Sequence, residues 1–284
     1  MNQKKNHRRI RGITVLQYAI LLLLLICCFV PPVVMLTMSL RNNTSIYGDF
    51  WGLPYPPRWV NYRNATEILY APTLRSLFVD IASNIGTLLF AVFSAFAFSR
   101  MRFAGKKILF YLVIAVMMVP SVLLLTPNFI LADQLRIKDS LWGLILFYVA
   151  GNQAFAIFML QTFFSGQPEE LFESARLDGA TESRCIWHIL LPLSRPILIT
   201  LFIMNFLSIY NDLIWPLLMI TSQSKELLMP ALQRFGSQAI KGATRVDWGV
   251  LTAGYTVATV PLFLIFVFGM KYYIEGVTSG AVKE

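Results

Sequence analysis

The sequence predicts an all-α integral membrane protein with six transmembrane helices. Hydrophobic residues make up 56% of the 284 residues and charged residues only 14%, against roughly 25% charged residues in ordinary soluble domains. Six apolar runs occupy most of the chain, and each is about as long as the roughly 20 residues that cross a bilayer as a helix. Because lipid cannot satisfy free backbone groups, these runs are expected to be helical.

The six apolar runs are residues 13–40, 76–99, 108–132, 141–164, 197–220 and 248–270. The first run follows a basic segment, as the core of a secretory signal peptide does. However, it is longer than the roughly 7–15 residues of such a core, and apolar residues continue beyond Pro31 and Pro32. We therefore expect an uncleaved first span.

Basic residues flank the apolar runs and predict the orientation of the chain. The short second connection carries Arg100, Arg102, Lys106 and Lys107. Cytoplasmic connections are enriched in Lys and Arg, so this connection and both termini are expected to be cytoplasmic. The net charge of +9 is then a topology signal, and no nucleic-acid partner is predicted because such a partner needs a basic cluster on one folded face.

The whole chain, residues 1–284, is predicted to form one membrane domain. We expect a basic cytoplasmic N-terminus at 1–12, a core bundle at 76–270, a long cytoplasmic loop at 165–196 and a cytoplasmic tail at 271–284. The outer connection at 41–75 is rich in Trp, Tyr and Pro, which is typical of a segment anchored at the membrane interface.

The loop at residues 165–196 carries the most specific pattern. Pro168 suits the first position of a short helix, and the acidic residues after it suit the positive end of the helix dipole. Leu171, Phe172 and Ala175 would form its apolar face, and Gly179 suits the left-handed turn that ends a helix.

A second short helix is expected to begin after Thr181, whose side chain can cap it, and to end at Pro192. Ile186, Ile189 and Leu190 repeat along it at helical spacing. The loop therefore predicts a pair of amphipathic helices that can enter a groove on another protein.

At these residues the sequence resembles the permease subunits of type I ATP-binding-cassette importers. The loop signature of that family is Glu-Ala-Ala, three residues, Gly, nine residues and Ile-x-Leu-Pro. The counterpart here is Glu173-Ser174-Ala175, Gly179 and, after the same gap, Ile189-Leu190-Leu191-Pro192. Ser174 is the only departure from the signature.

The resemblance implies that the loop docks into the cleft of a cytoplasmic ATP-binding-cassette ATPase dimer, with ordinary capped helices as the alternative. The implied contact residues are Glu173, Ser174, Ala175, Asp178, Gly179 and Ala180. Glu173 would meet a basic residue of the ATPase. This chain has no phosphate-binding loop motif, so ATP and Mg²⁺ would be held by the partner and no cofactor by this chain.

Other stretches resemble the carbohydrate-uptake branch of the family, and in particular the smaller permease subunit of maltose-type importers. They are Tyr210-Asn211-Asp212-Leu213-Ile214-Trp215-Pro216, Leu141-Trp142-Gly143-Leu144-Ile145-Leu146 and Gly276-Val277-Thr278-Ser279-Gly280-Ala281-Val282-Lys283. The likeness implies a bacterial cell membrane, a second homologous permease, an extracytoplasmic solute-binding protein and a sugar or oligosaccharide as solute. It also implies that Thr278, Ser279 and Gly280 reach the ATPase, with a solvated terminus as the alternative.

Two aspartates interrupt the apolar runs and are candidates for the transport path. A charge near the centre of a span costs about 3 kcal/mol, so Asp80 and Asp212 should face the bundle or a wet cavity. Asn84 shares a helix face with Asp80, and Asn211 precedes Asp212. The alternative for Asp80 is the outer interface, whereas Pro216 predicts a broken helix beside Asp212.

No catalytic residue and no metal site are predicted. The three cysteines and two histidines lack the spacing of zinc ligands and form no evident nucleophile and base pair, which argues against a membrane enzyme. An ion-gradient-driven secondary transporter remains the alternative. Such transporters usually carry an internal duplication, and the two halves of this sequence show none that is convincing.

Overall fold

The structure, a computed structural model, describes residues 2–241 and 246–281, with side chains at 14–237 and 246–271. Every regular element within these ranges is a helix. In chain order the α-helices are α1 (Asn2–Ser39), α2 (Asn43–Gly48), α3 (Val60–Arg100), α4 (Lys106–Met117), α5 (Leu125–Gln134), α6 (Leu141–Ser165), α7 (Glu170–Leu177), α8 (Glu182–Cys185), α9 (Leu191–Leu193), α10 (Arg195–Tyr210), α11 (Ile214–Met219), α12 (Leu228–Lys241) and α13 (Trp248–Ala281). The 3₁₀ turns Ser121–Leu124 and Gln223–Lys225 and the π-helical turn Ile186–Leu190 lie between them.

Four stretches are long and apolar enough to cross a membrane as single helices: Thr14–Ser39, Val60–Arg100, Leu141–Ser165 and Trp248–Lys271. Two pairs meet the same test as bent spans: Lys106–Met117 with Ser121–Gln134, and Glu182–Leu193 with Arg195–Tyr210. The described residues thus contain four spans, or up to six if each bent pair counts as one. This confirms the predicted all-α membrane fold, while the count of six and the orientation stay predictions.

The predicted span at 108–132 is not a single straight helix. α4 ends at Met117, and the chain turns by 92° before it continues as Ser121–Gln134. Pro120 lies at this break. Because proline has no N–H group and its ring clashes with the preceding turn, a helix does not continue straight through it.

Two further apolar runs do not coincide with single helices of the same bounds: one is divided where a break is predicted, and one begins earlier than predicted. The run at 197–220 is divided, since α10 ends at Tyr210 and α11 begins at Ile214, as expected for a helix broken near Asp212. The second span begins early, at Val60, because neither Gly nor Pro interrupts residues 60–71. Residues 60–75 of the outer connection at 41–75 are therefore helix.

The chain folds as two units, Met1–Leu69 with Arg234–Ala258, and Tyr70–Gln233 with Thr259–Glu284. In the first unit, the buried Arg41 side chain donates hydrogen bonds to the carbonyl oxygens of Ser45 at 2.6 Å and Phe50 at 3.1 Å. Asn61 donates to the carbonyl oxygen of Ser39 at 2.9 Å. These bonds satisfy the backbone of the turn that follows α1.

The second unit contains two apolar clusters. One joins α3, α6 and α10 with the loop helices α7 and α8, around Phe164, Phe172 and Leu201. The other joins α3, α5, α6, α10 and α11, around Leu144 and Trp215. Because the loop helices share a cluster with the spans, the loop is a packed part of this unit.

Candidate coupling loop and polar cavity

The loop between α6 and α10 begins with the helix that its sequence predicts. α7 has Glu170 and Glu173 in its first turn, where the helix dipole favours negative charge. Pro168 precedes the helix and does not occupy its first position. Phe172 is fully buried, whereas Leu171 is exposed. The prediction that Leu171 belongs to the apolar face is therefore wrong.

Gly179 ends α7 in the left-handed conformation, with φ of +80°. The Ala180 amide donates to the Ala175 carbonyl oxygen at 2.9 Å, and the Gly179 amide donates to the Arg176 carbonyl oxygen at 3.0 Å. These two bonds form a Schellman motif, which favours glycine at this position. The predicted turn at Gly179 is therefore confirmed.

The second helix is capped as predicted but ends later. The Thr181 hydroxyl accepts a hydrogen bond from the Arg184 amide at 3.4 Å. The chain then continues through the π-helical turn and past Pro192, and it bends by 76° only at Ser194. The π-helical turn shifts the backbone hydrogen bonds by one residue, which lets the helix continue past a residue that has no N–H group.

The side of α7 away from the apolar cluster presents most of the predicted contact residues. Glu173, Ser174, Asp178 and Gly179 are exposed, and Ala175 and Ala180 are half-buried. Leu177 lies among them with 89% of its surface exposed. Ser174 is the one residue that departs from the signature. Its hydroxyl donates to the Leu171 carbonyl oxygen at 3.2 Å, so its hydrogen bond is formed within the same helix.

Ion pairs connect this helix to its surroundings. Arg176 pairs with Glu169 at 3.4 Å and with Glu182 at 3.0 Å. Hydrogen bonding to Glu182 is the main cause that raises the pKa of the Arg176 guanidinium above its ordinary value. Arg100, the last residue of α3, also pairs with Glu169. Four charged side chains thus link the end of α3 to α7 and α8.

A cavity of about 400 Å³ lies in the same unit, against α5, α6 and the break that follows α10. Its wall combines aromatic rings with polar side chains. The lining residues are Ser121, Val122, Leu125, Asn128, Phe147, Tyr148, Gly151, Asn152, Ser208, Ile209, Asp212, Ile214 and Trp215. Asp212 carries the one charged side chain in this set.

Asp212 is held in place from two sides. Its Oδ1 accepts hydrogen bonds from the amides of Ile214 at 3.0 Å and Trp215 at 3.3 Å, so the carboxylate satisfies the first two amides of α11. Its Oδ2 accepts a hydrogen bond from the Tyr148 hydroxyl at 2.9 Å. The Trp215 ring meets Phe147 edge to face at 5.1 Å. The cavity therefore combines a fixed carboxylate with aromatic surfaces.

The other candidates for the transport path lie outside the cavity wall. Asp80 and Asn84 are fully buried on α3, and the Asn84 amide donates to the Asp80 carboxylate at 2.8 Å. Burial in the bundle is one of the environments expected for Asp80. Asn211 is exposed and donates to the Leu207 carbonyl oxygen at 2.7 Å. The path roles of these three residues stay predictions.

The predicted tail contacts, Thr278, Ser279 and Gly280, belong to α13, whose backbone is helical to Ala281. Their side chains lie outside the described part of the chain. Contact of the tail with an ATPase therefore also stays a prediction.

Three residues of these two regions were not singled out from the sequence. Tyr148 is followed at helical spacing by two other lining residues, Gly151 and Asn152, and this pattern could have indicated one face of α6. Arg100 was interpreted only as a topology signal. Leu177 is an apolar residue in a polar stretch, which by itself indicates nothing specific.

Comparison with protein families decides the class of protein. The model of the family described as the inner membrane component of binding-protein-dependent transport systems matches residues 87–278, well over half of the chain. The chain belongs to this family. It is therefore a multi-pass membrane component of a transport system, and the loop at residues 165–196 lies inside the matched region.

Curated relatives of this transport component are similar over most of their length. The putative ABC transporter permease protein ORF2 of Caldicellulosiruptor sp. is 32% identical over 88% of this chain and 90% of its own. The diacetylchitobiose uptake system permease protein NgcG of Streptomyces coelicolor is 28% identical over 96% of this chain and 90% of its own. The arabinooligosaccharides transport system permease protein AraQ of Bacillus subtilis is 29% identical over 88% of each chain.

A solved structure shows the same fold. It is the crystal structure of a bacterial ABC transporter involved in the import of the acidic polysaccharide alginate. The TM-score is 0.80 at 17% sequence identity, over 93% of this chain and 97% of the other. At this identity the similarity concerns the fold of the permease.

Proposed function

We propose that this chain is a permease subunit of an ATP-binding-cassette importer for a sugar or oligosaccharide. It forms the translocation path together with a second, homologous permease. A dimeric cytoplasmic ATPase binds and hydrolyses ATP with Mg²⁺, and an extracytoplasmic binding protein delivers the solute. This chain performs no chemistry itself.

The observation that carries the proposal is the outward face of α7. Glu173, Leu177 and Asp178 are exposed together, while Phe172 is fully buried among the spans. The Schellman turn at Gly179 holds the end of this face in one shape. A helix with one face anchored in its own bundle and the other exposed suits docking into a groove of a partner.

The cavity supports a saccharide as the solute. Sugars present hydroxyl groups that donate to carboxylates and amides, and C–H faces that pack on aromatic rings. Asp212, Asn128 and Asn152 supply the polar groups, and Trp215 and Phe147 supply the rings. Relatives named for diacetylchitobiose, arabinooligosaccharide and trehalose transport share this class of solute.

Cross-linking in native membranes tests the docking. In a background without the natural cysteines, Glu173→Cys and Ala180→Cys are expected to capture a nucleotide-hydrolysing protein. Thr221→Cys, an exposed position in another loop of the same unit, is the matched control and is expected to capture none. Failure of both loop positions to capture an ATPase would contradict the proposal.

Uptake in proteoliposomes tests the energy source and the solute class. The purified complex is expected to accumulate one of a panel of labelled saccharides (trehalose, diacetylchitobiose or arabinooligosaccharides) only with ATP and its binding protein. Accumulation by this chain alone under a proton or sodium gradient would support a secondary transporter instead.

A further inference from the structure

Arg100 occupies an unusual position for a basic residue at the end of an apolar span. Although it ends α3, only 5% of its side chain is exposed. Its guanidinium donates to the carbonyl oxygens of Phe164 and Gln167, each at 2.6 Å, and to the carboxylate of Glu169. A residue that only marks the cytoplasmic side of a membrane would extend into water.

The two carbonyl acceptors lie at the C-terminal end of α6. Phe164 is in its last turn, where carbonyl oxygens lack the usual helical partner, and its oxygen also accepts the Gln167 amide at 3.2 Å. Gln167 lies just beyond the helix. A cation at this end also interacts favourably with the helix dipole. Arg100, on α3, therefore supplies hydrogen-bond donors to the carbonyl oxygens at the C-terminal end of α6.

The same guanidinium also contacts the loop helix that follows. It lies 4.4 Å from the centroid of the Phe172 ring, and that ring is fully buried in the apolar cluster shared with the spans. A guanidinium over an aromatic face is attracted by the ring quadrupole. We name Arg100 and its four partners, Phe164, Gln167, Glu169 and Phe172, the Arg100 clamp.

We propose that the Arg100 clamp transmits movement of α7 to α3. The inference rests on the proposed function, because it takes α7 as the helix that an ATPase moves. The polypeptide joins α7 directly to α6, but α3 is remote in sequence, and the clamp provides a charged contact between α3 and α7. Separation of α7 from α3 would remove the Glu169 carboxylate and the Phe172 ring from the buried guanidinium. A buried charge that loses its counter-charge is strongly unfavourable, so α3 and the start of α7 move together more readily than they separate.

The chain offers a matched control for this role. Arg102 lies two residues further along in the same basic connection and is exposed. Arg100→Gln removes the charge and the forked donor, yet Glu169 keeps its ion pair with Arg176. Arg102→Gln makes the same change of charge outside the clamp. Arg100→Lys keeps the charge but not the forked geometry.

The test compares solute uptake with ATP hydrolysis in the complete reconstituted importer. For Arg100→Gln we expect normal copurification of the ATPase and normal basal hydrolysis, with the number of solute molecules taken up per ATP lowered about fivefold or more. Arg100→Lys should be intermediate, and Arg102→Gln should resemble the wild type. An unchanged ratio in Arg100→Gln, or an equal loss in Arg102→Gln, would overturn the proposal.

A second variant covers the possibility that Arg100→Gln does not assemble. Glu169→Gln weakens the link to α7 but leaves the two carbonyl contacts, and it is expected to lower the same ratio by a smaller factor. If Arg100→Gln fails to assemble and Glu169→Gln couples normally, Arg100 has only a structural role and the proposal is wrong. If the wild-type chain copurifies no ATPase, the proposed function fails and the clamp fails with it.

Discussion

The loop at residues 165–196 and the polar cavity belong to the same unit, yet they are built in opposite ways. The loop forms its candidate surface from a few consecutive residues between Glu173 and Ala180, most of which are exposed, while Ala175 and Ala180 pack against the apolar cluster. The cavity takes its wall from three stretches between Ser121 and Trp215, and its polar groups point inward. A surface built from consecutive residues produces a spaced motif in the sequence. A cavity built from several helices produces only scattered polar residues within apolar runs.

The largest expected effect concerns the turn of the loop. Gly179→Pro should abolish copurification of the ATPase while the chain still inserts into the membrane, because proline cannot adopt a φ near the +80° observed and cannot donate to Arg176. The measurement is affinity purification of the tagged permease followed by detection of the ATPase.

A pair of alanine variants controls for backbone strain. Gly105 also has a positive φ, and a Cβ at Gly105 or Gly179 would meet no atom within 4 Å. Each alanine should cost about 1–2 kcal/mol in folding stability, but only Gly179→Ala should weaken binding of the ATPase. If both alanine variants weakened ATPase binding equally, the loop would have no special role in that binding.

The next effect concerns the cavity. Asp212→Asn keeps an oxygen that can cap α11 but removes the charge that Tyr148 and a solute would contact. We expect uptake to fall roughly tenfold, as for the loss of a hydrogen bond to a charged group, with no loss of ATPase copurification. Asn211→Ser, at the exposed neighbouring position, is the control and should retain uptake. Wild-type uptake by Asp212→Asn would contradict a role of the carboxylate in the transport path.

A smaller effect is expected at the exposed leucine of the loop. Leu177→Ala should leave the stability of the chain unchanged, since 89% of the residue is exposed. It should weaken binding of the ATPase by about 1 kcal/mol, which is roughly fivefold in affinity, because a partner would cover this side chain. Leu135→Ala, a half-exposed leucine after α5, should not change the affinity.

The smallest effect concerns the framework of the cavity. Asp139, before α6, accepts hydrogen bonds from the hydroxyl and amide of Ser222 and from Lys225, at 2.6–2.9 Å. Led by the bond from the Ser222 hydroxyl, these contacts lower the pKa of the Asp139 carboxyl below its ordinary value of 3.8. The carboxylate therefore ties the segment before α6 to the segment after α11.

Asp139→Asn should lower the melting temperature by a few degrees at neutral pH. Because the folded-state pKa is lowered, the stabilisation is complete above the ordinary value and decreases as the pH falls below it toward the lowered pKa. The difference between wild type and variant should therefore narrow in acid, measured by thermal unfolding in detergent. A difference that does not change down to strongly acidic pH would contradict this account.

Much of the loop could be predicted because its determinants are local. The left-handed glycine, the Thr181 cap and the acidic first turn each depend on residues within one or two helical turns. The end of the second helix could not be predicted in this way. Pro192 indicates a break by local rules, but the π-helical turn before it moves the bend to Ser194.

The amino-acid sequence by itself determined that this chain is helical, spans a membrane and carries a loop with the spacing of the family signature, because hydrophobicity and the spacing of a motif are properties of the order of residues. Only the tertiary structure decided which polar groups meet. It joined Asp212 to Tyr148 and Arg100 to Glu169, pairs that are remote along the chain. Such contacts depend on how the helices pack and bend, and no local pattern within either helix encodes them.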